Sequence, residues 1–273
     1  MNDWTIVAFV LIALLLFAVV FKRFFDAVEH QYVHVFHKPF FVHWYLSKKQ
    51  LTYEQLEILH KEFPFYNRLS DKQKKYFEHR IAVFLDKYPF EGKEGFQITD
   101  RVKVLIAATS TMLTFGMRSY LYSYIAKVIV YPDRYYSIIT QQYHKGEFNP
   151  GAKIVVFSWS DFEHGLFHVN DNLNLGIHEF AHALHFQGMK NDNVSSYLFA
   201  LQFKNIQRDV NYLPNKEKLL ESDFFRKYAY TNQFEFIAVV LEYFFESPHE
   251  FQKEFPQLFL YVKRMINFSR YIT

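Results

Sequence analysis

The sequence predicts an α+β domain, mostly helical with a small sheet, carried behind one transmembrane helix. Three observations predict it: an uncharged run opens the chain, capped amphipathic stretches of helical period fill most of the rest, and only two short β-branched segments interrupt them.

The opening run comes first. Trp4 to Phe21 reads WTIVAFVLIALLLFAVVF, without a charge, and as a helix it is just long enough to cross a hydrocarbon core. A signal peptide would need a basic n-region and a small-x-small cleavage site, and Met1-Asn2-Asp3 and Val-Val-Phe-Lys provide neither. A core helix would not be apolar all round at the chain terminus. Residues 1–23 are therefore expected to be an uncleaved, single-pass anchor. Lys22 and Arg23, then Lys38, Lys48 and Lys49, follow the run, while only Asp3 and the terminal amine precede it. The positive-inside rule then places the following domain on the cytoplasmic side.

Residues 24–50 form a juxtamembrane segment. His30, His34 and His37 share one helical face. An amphipathic helix ending near Pro39 explains them better than a metal site, because no carboxylate is placed to complete one.

The remaining domain, 51–273, is long enough to bury a full core. Of the 273 residues, 50% are hydrophobic and 22% charged, and 33 Phe with 20 Tyr imply a thickly aromatic interior. Only 8 Gly and 8 Pro argue against long disordered linkers. With 31 basic and 28 acidic residues the net charge is +3, which gives no electrostatic case for nucleic acid. The absence of cysteine excludes disulfides and thiolate-bound metal, and fits a cytoplasmic domain.

Thr52-x-x-Gln55 and Ser70-x-x-Gln73 are capping-box patterns, each opening an amphipathic run between 51 and 88. Thr99-Asp100 starts an apolar core helix closed by Gly116. Ala126 to Tyr131 and Lys153 to Trp159 read as strands. After Asn170-Asp171-Asn172 a helix runs to Gly188, a natural C′ residue. Further helices are expected around 195–209 and 232–245.

The chemistry lies in His178-Glu179-Phe180-Ala181-His182. Four residues apart on a helix, His178 and His182 project from one face, the spacing at which two imidazoles reach one Zn²⁺. Glu179 is placed to exchange protons with a water activated there. A chance match is the competing reading, but His, Glu and His among Ile, Phe and Ala are costly to bury unpaired. The metzincin continuation fails, since His185 and Gly188 occupy the positions that would hold Gly and His; His185 is read as core or as support for the ligands. For a third ligand, Glu235 and Glu242 lie on one face of the last of these helices. Asn232-x-x-Glu235 is also a capping-box pattern, and spacing alone leaves that choice open.

Several stretches together resemble the Mlc titration factor A family of zinc-dependent peptidases. They are the run from Leu69-Ser70-Asp71, the segment from Ile98-Thr99-Asp100-Arg101, the strand Val155 to Trp159, the His178 helix through Leu184, and Tyr228 through Phe245, spanning about residues 66 to 260. The resemblance implies a zincin-like, gluzincin-type metallopeptidase domain with a bound Zn²⁺, a peptide or protein substrate, and Glu235 as the third ligand. The similar catalytic domain of anthrax lethal factor has a Tyr seven residues before its ligand Glu. Tyr228 stands at that spacing, which implies a phenolic donor to the oxyanion. The chain departs from the pattern at His185, where members usually carry Asp, and in its anchor. The family's repressor partner is therefore not carried over, and any regulatory protein partner is left open.

Glu235 and Glu242 are about 10 Å apart along a helix axis, too far for one ion to be bound by both. Glu242 is expected to orient a ligand histidine through its other ring nitrogen. The strand Val155 to Trp159 is expected to be the edge on which an extended peptide adds. Amino- and endopeptidase activity are not distinguished. The alternative function is a zinc-containing, membrane-tethered regulator that sequesters a protein partner.

Overall fold

The computed structural model describes residues 3–137, 141–168 and 171–268. Asn170, where the loop before the metal-motif helix was expected to open, lies outside them, as do the two ends of the chain.

Nothing in the opening run breaks a helix, and α1 (Asp3–Phe36) is continuous for 34 residues, about 50 Å. It is long and apolar enough to cross a membrane, and its apolar window is wholly exposed. It does not end with that window but continues through the expected juxtamembrane helix and stops ahead of Pro39. Its last turns are docked on the domain. Val33 packs with Val194 and Leu198; buried Glu29 is salt-bridged to Arg118 and accepts the Phe40 N–H at 3.1 Å. The three histidines of this segment are held by different groups: His30 by the Asp26 carbonyl and the Tyr197 ring, His34 by the Tyr197 hydroxyl and His37 by Gln202.

Both capping boxes form, opening α2 (Tyr53–Glu62) and α4 (Asp71–Lys87), with the short α3 (Pro64–Asn67) between them started by its proline. After β1 (Phe90–Gly92), α5 (Asp100–Thr114) is capped by Thr99 and buried along nearly its whole length. Five more strands follow: β2 (Lys127–Tyr131), β3 (Tyr135–Ser137), β4 (Gln142–His144), β5 (Gly146–Asn149) and β6 (Ile154–Ser158).

Among the described residues the main sheet runs β1-β2-β6-β5, and β3 and β4 pair separately. β2 lies parallel to β1 and to β6, whereas β5 is antiparallel to β6, with Gly146 opposite Phe157 and Asn149 opposite Ile154. This corrects the expected edge. Strand 154–158 is interior, flanked on both sides, and β5 ends the sheet. The Gly-Glu-Phe-Asn sequence of β5 has no clear alternation, so its extended form is owed to the hydrogen bonds β6 provides. Trp159 is not the end of the strand but the first residue of α6 (Trp159–Phe167), because Ser158 caps a helix there by accepting the Asp161 N–H.

The metal-motif helix α7 (Leu175–Lys190) is capped by Asn174, whose side chain accepts the Ile177 N–H at 3.0 Å. It runs past Gly188. That glycine is no C′ residue; a Cβ there would clash with the Phe199 ring, so it lets α8 (Val194–Asn211) approach closely. Then come α9 (Leu213–Glu221), a 3-10 turn (Lys227–Tyr230), α10 (Gln233–Glu246), α11 (Pro248–Glu254) and α12 (Pro256–Met265). The core joins α5, α7, α10 and the sheet. Buried Phe84, Tyr122, Phe157 and Phe180 meet there in ring contacts of 5.4 to 6.1 Å, and each such side chain is worth about 1.5–3 kcal/mol of burial.

Candidate metal centre

The apolar faces of α7 and α10 pack together, and this brings the polar residues on their flanks into contact. His178 and His182 are one turn apart, with their Nε2 atoms separated by 3.1 Å. Glu235, in the first turn of α10, places Oε2 at 3.1 Å from the His178 Nε2 and 3.5 Å from the His182 Nε2. The three side chains form a group whose donor atoms all lie within 4.8 Å of one another and which could hold a metal ion.

Asn232 does cap α10, accepting the N–H groups of Phe234 and Glu235. The Glu235 carboxylate, however, turns to the histidines, so the residue that looked like half of a capping box belongs to this cluster.

The donor set fits a divalent ion. Ligands about 2.0–2.1 Å from a tetrahedral ion lie about 3.3 Å from each other, close to the separations seen. Glu235 Oε2 is buried and faces both imidazole nitrogens, so its lone pairs are turned to the point where a cation would sit. Two imidazoles and one carboxylate are also the donor set of a catalytic zinc site. The electrostatics agree. Burial pulls the His178 imidazole down, but the Glu235 and Glu242 carboxylates overcome it and push it up to about 10. Burial raises the Glu235 carboxyl, and the two imidazoles overcome that and hold it well below the usual carboxylate range. The cluster calls for positive charge.

Glu242 lies two turns deeper on α10. Its Oε1 is 2.7 Å from the His178 Nδ1, which leaves Nε2 to face the cluster. Arg226 clamps both oxygens, at 2.6 and 3.1 Å, and the Asn174 backbone N–H donates to Oε2 at 2.8 Å. Arg226 also donates to the carbonyl of Asn172, a residue with φ of 56°, a left-handed conformation that asparagine tolerates. Arg226 and Asn174 were not identified from sequence. The one signal was Glu242 itself, a charge among Leu241, Phe244 and Phe245 that had to find partners.

Glu179 lies beside β5. A Cβ on Gly146 would come within 2.8–2.9 Å of Leu175 and of the Glu179 carboxyl arm, so only glycine lets the strand pass so close. Burial pushes the Glu179 carboxyl up, while His178 and His182 pull against that shift. Tyr228, half exposed on the 3-10 turn, has its ring 6.1 Å from the His178 ring. Burial and then the Glu235 carboxylate push its phenol up to about 12. His178, Glu179, Tyr228 and Arg226 line a cleft of about 990 Å³, whose far wall includes Asp133, Arg134 and Tyr143.

His185 does not reach the cluster. It is buried, with its ring 4.5 Å from both Phe203 and Phe234, and burial, then His182, lower its imidazole to about 4.

An α+β domain whose cleft holds a His-Glu-x-x-His helix and a convergent glutamate is that of a metallopeptidase. The family model of the glucose-regulated metallopeptidase M90 matches residues 41–266. The chain belongs to that family, as its resemblance to the Mlc titration factor A peptidases implied. It is also 28% identical to an uncharacterized protein of Synechocystis sp., across 83% of this chain and 89% of that protein.

Proposed function

We propose that this protein is a zinc peptidase, anchored by α1 with its catalytic domain on the cytoplasmic side of the membrane. His178, His182 and Glu235 hold the ion. The observation that carries the reading is the convergence of those donor atoms within 4.8 Å, with a buried carboxylate, Glu179, beside them in an open cleft. The orientation rests on Lys22 and Arg23 directly after the apolar run.

When bound, Zn²⁺ supplies Lewis-acid chemistry, acidifying a water and polarising the scissile carbonyl. The chain's own residues do the rest. Glu179 takes a proton from the attacking water on its carboxylate and returns it to the departing amine; a carboxyl raised by burial is suited to both transfers. The Tyr228 phenol, held protonated at neutral pH, donates to the oxyanion of the tetrahedral intermediate. Glu242, clamped by Arg226, fixes the tautomer and orientation of His178. The extended substrate expected at a sheet edge falls to β5, alongside Glu179.

The test is turnover of a peptide library by the native chain and by Glu179→Gln. The variant is expected to keep one zinc per chain and to lose hydrolysis by at least about 10²-fold. Equal turnover by both removes Glu179 from the reaction. No turnover by the zinc-loaded native chain favours a sequestering regulator instead.

A further inference from the structure

The chain that follows α1 does not lead away from the apolar run but turns back along it. The Phe40 ring lies 4.5 Å from Tyr32 and 5.6 Å from Phe25. Arg118, salt-bridged to Glu29, holds the next residue twice over, donating to the Phe41 carbonyl at 3.0 Å with its guanidinium 3.7 Å from the centre of the Phe41 ring. Phe25 is four residues past Phe21, the end of the uncharged run, and four residues are about 6 Å of helix. One headgroup layer has about that thickness.

Along this returning stretch and the helix beside it the protein turns apolar side chains outward. Trp44 is 71% exposed, Leu46 96% and Phe24 66%, and Phe40 and Phe41 are exposed beside them. Scattered exposed apolar residues are ordinary. These continue the apolar surface of a helix long and apolar enough to cross a membrane, the exposed cations Lys22 and Arg23 flank Phe24, and Lys38 and Lys48 are exposed on the chain that follows. Aromatic rings with lysine and arginine are the composition of a membrane–water interface.

We infer that the 37–46 loop is a second membrane contact, which seats its aromatic side chains in the headgroup layer of an anionic leaflet. The inference rests on the reading of α1 as a membrane span. Phe40 and Phe41 are already held by α1 and Arg118, so the loop is ordered before it meets lipid and loses little entropy on docking. Trp44 and Leu46 lie at the interface, and the cations face lipid phosphates, each worth about 1 kcal/mol near an anionic surface.

The chain has no cysteine, so single-cysteine variants of the full-length protein accept one nitroxide each. In phosphatidylglycerol-containing nanodiscs the label at Leu11→Cys should collide with oxygen and escape a water-soluble nickel chelate. The label at Trp44→Cys should meet the chelate several-fold less often than one at Tyr212→Cys. Tyr212 is exposed at the far end of α8, which runs beside α1 away from the span. In pure phosphatidylcholine discs the Trp44 label should lose part of that protection. Equal chelate access at 44 and 212, with 11 in hydrocarbon, overturns the docking but leaves the span. An aqueous label at 11 overturns the span and the docking with it. Unchanged protection of 44 in both lipids overturns the requirement for an anionic leaflet.

Discussion

Two buried glutamates, at opposite ends of the domain, are each clamped by an arginine. Glu29 is paired with Arg118 and accepts a backbone N–H from Phe40; Glu242 is paired with Arg226 and accepts a backbone N–H from Asn174. Both side chains are at most 1% exposed. The difference is the last partner. Glu242 also meets the His178 Nδ1 at 2.7 Å, whereas among the described residues Glu29 meets no side chain of the candidate metal centre. The same ion pair therefore serves as a fastening in one place and holds a histidine of the candidate metal centre in the other, and a buried carboxylate is not by itself a sign of function.

The sharpest way to break the contrast is to dismantle the candidate metal centre that distinguishes the two sites. Glu235→Ala should abolish stoichiometric zinc by metal analysis while circular dichroism stays native, leaving Glu242 as purely structural as Glu29. If zinc survives there but vanishes in a folded Glu242→Ala, the ligand assignment is reversed. Otherwise Glu242→Ala should weaken zinc about 10- to 100-fold in a chelator competition. It should also cost about 3 kcal/mol in a denaturant melt, since it leaves Arg226 uncompensated. Glu29→Ala should show a similar loss of stability with zinc affinity unchanged; a shift in affinity would couple the two ends.

Arg226 also lies two residues before Tyr228, so the Glu242 clamp steadies the turn that carries the phenol. Tyr228→Phe should lower kcat about 10- to 100-fold with KM little changed, less than a fully buried oxyanion donor because Tyr228 is 50% exposed. Unchanged kcat removes Tyr228 from the reaction. The smallest effect at neutral pH belongs to His185. The unfolded chain binds that proton near pH 6.5 and the folded chain only near 4. The stability of its neutral burial is thus whole above pH 6.5 and declines by about 3 kcal/mol as the pH falls to 4. His185→Phe should flatten that part of the acid limb of a stability–pH profile; an unaltered limb assigns it to other groups.

The parts of the molecule legible in sequence were those whose signals are local. The two capping boxes, the helix of His178 and strands β2 and β6 announce themselves through caps, periodicity or β-branched runs. β5 does not, because four residues of mixed character become a strand only by pairing with β6. Helices α9, α11 and α12 carry proline in their first turn, a local signal that went unread. Gly188 misled because a glycine near a helix end has two uses, and only the Phe199 ring on α8 decides between them. At the site, the spacing of His178, Glu179 and His182 was visible, whereas Arg226 and Asn174 reach Glu242 by tertiary packing that no spacing encodes.

The docked end of α1 sets a length scale for whatever the peptidase cuts. α8 runs beside α1 in the same direction, since Tyr197 meets His30 and His34 while Gln202 meets His37. α7 pairs with α8 antiparallel, so His178 lies at the end of α7 remote from the apolar run. Eight residues of α1 from Phe21 to Glu29 and twelve of α7 from Lys190 back to His178 add to about 30 Å. An extended chain covers that distance in about nine residues. On the proposed bilayer span of α1, a protein tethered in the same membrane would therefore present its nearest reachable bond about nine residues from its own span, and bonds closer to the lipid would be spared by height alone.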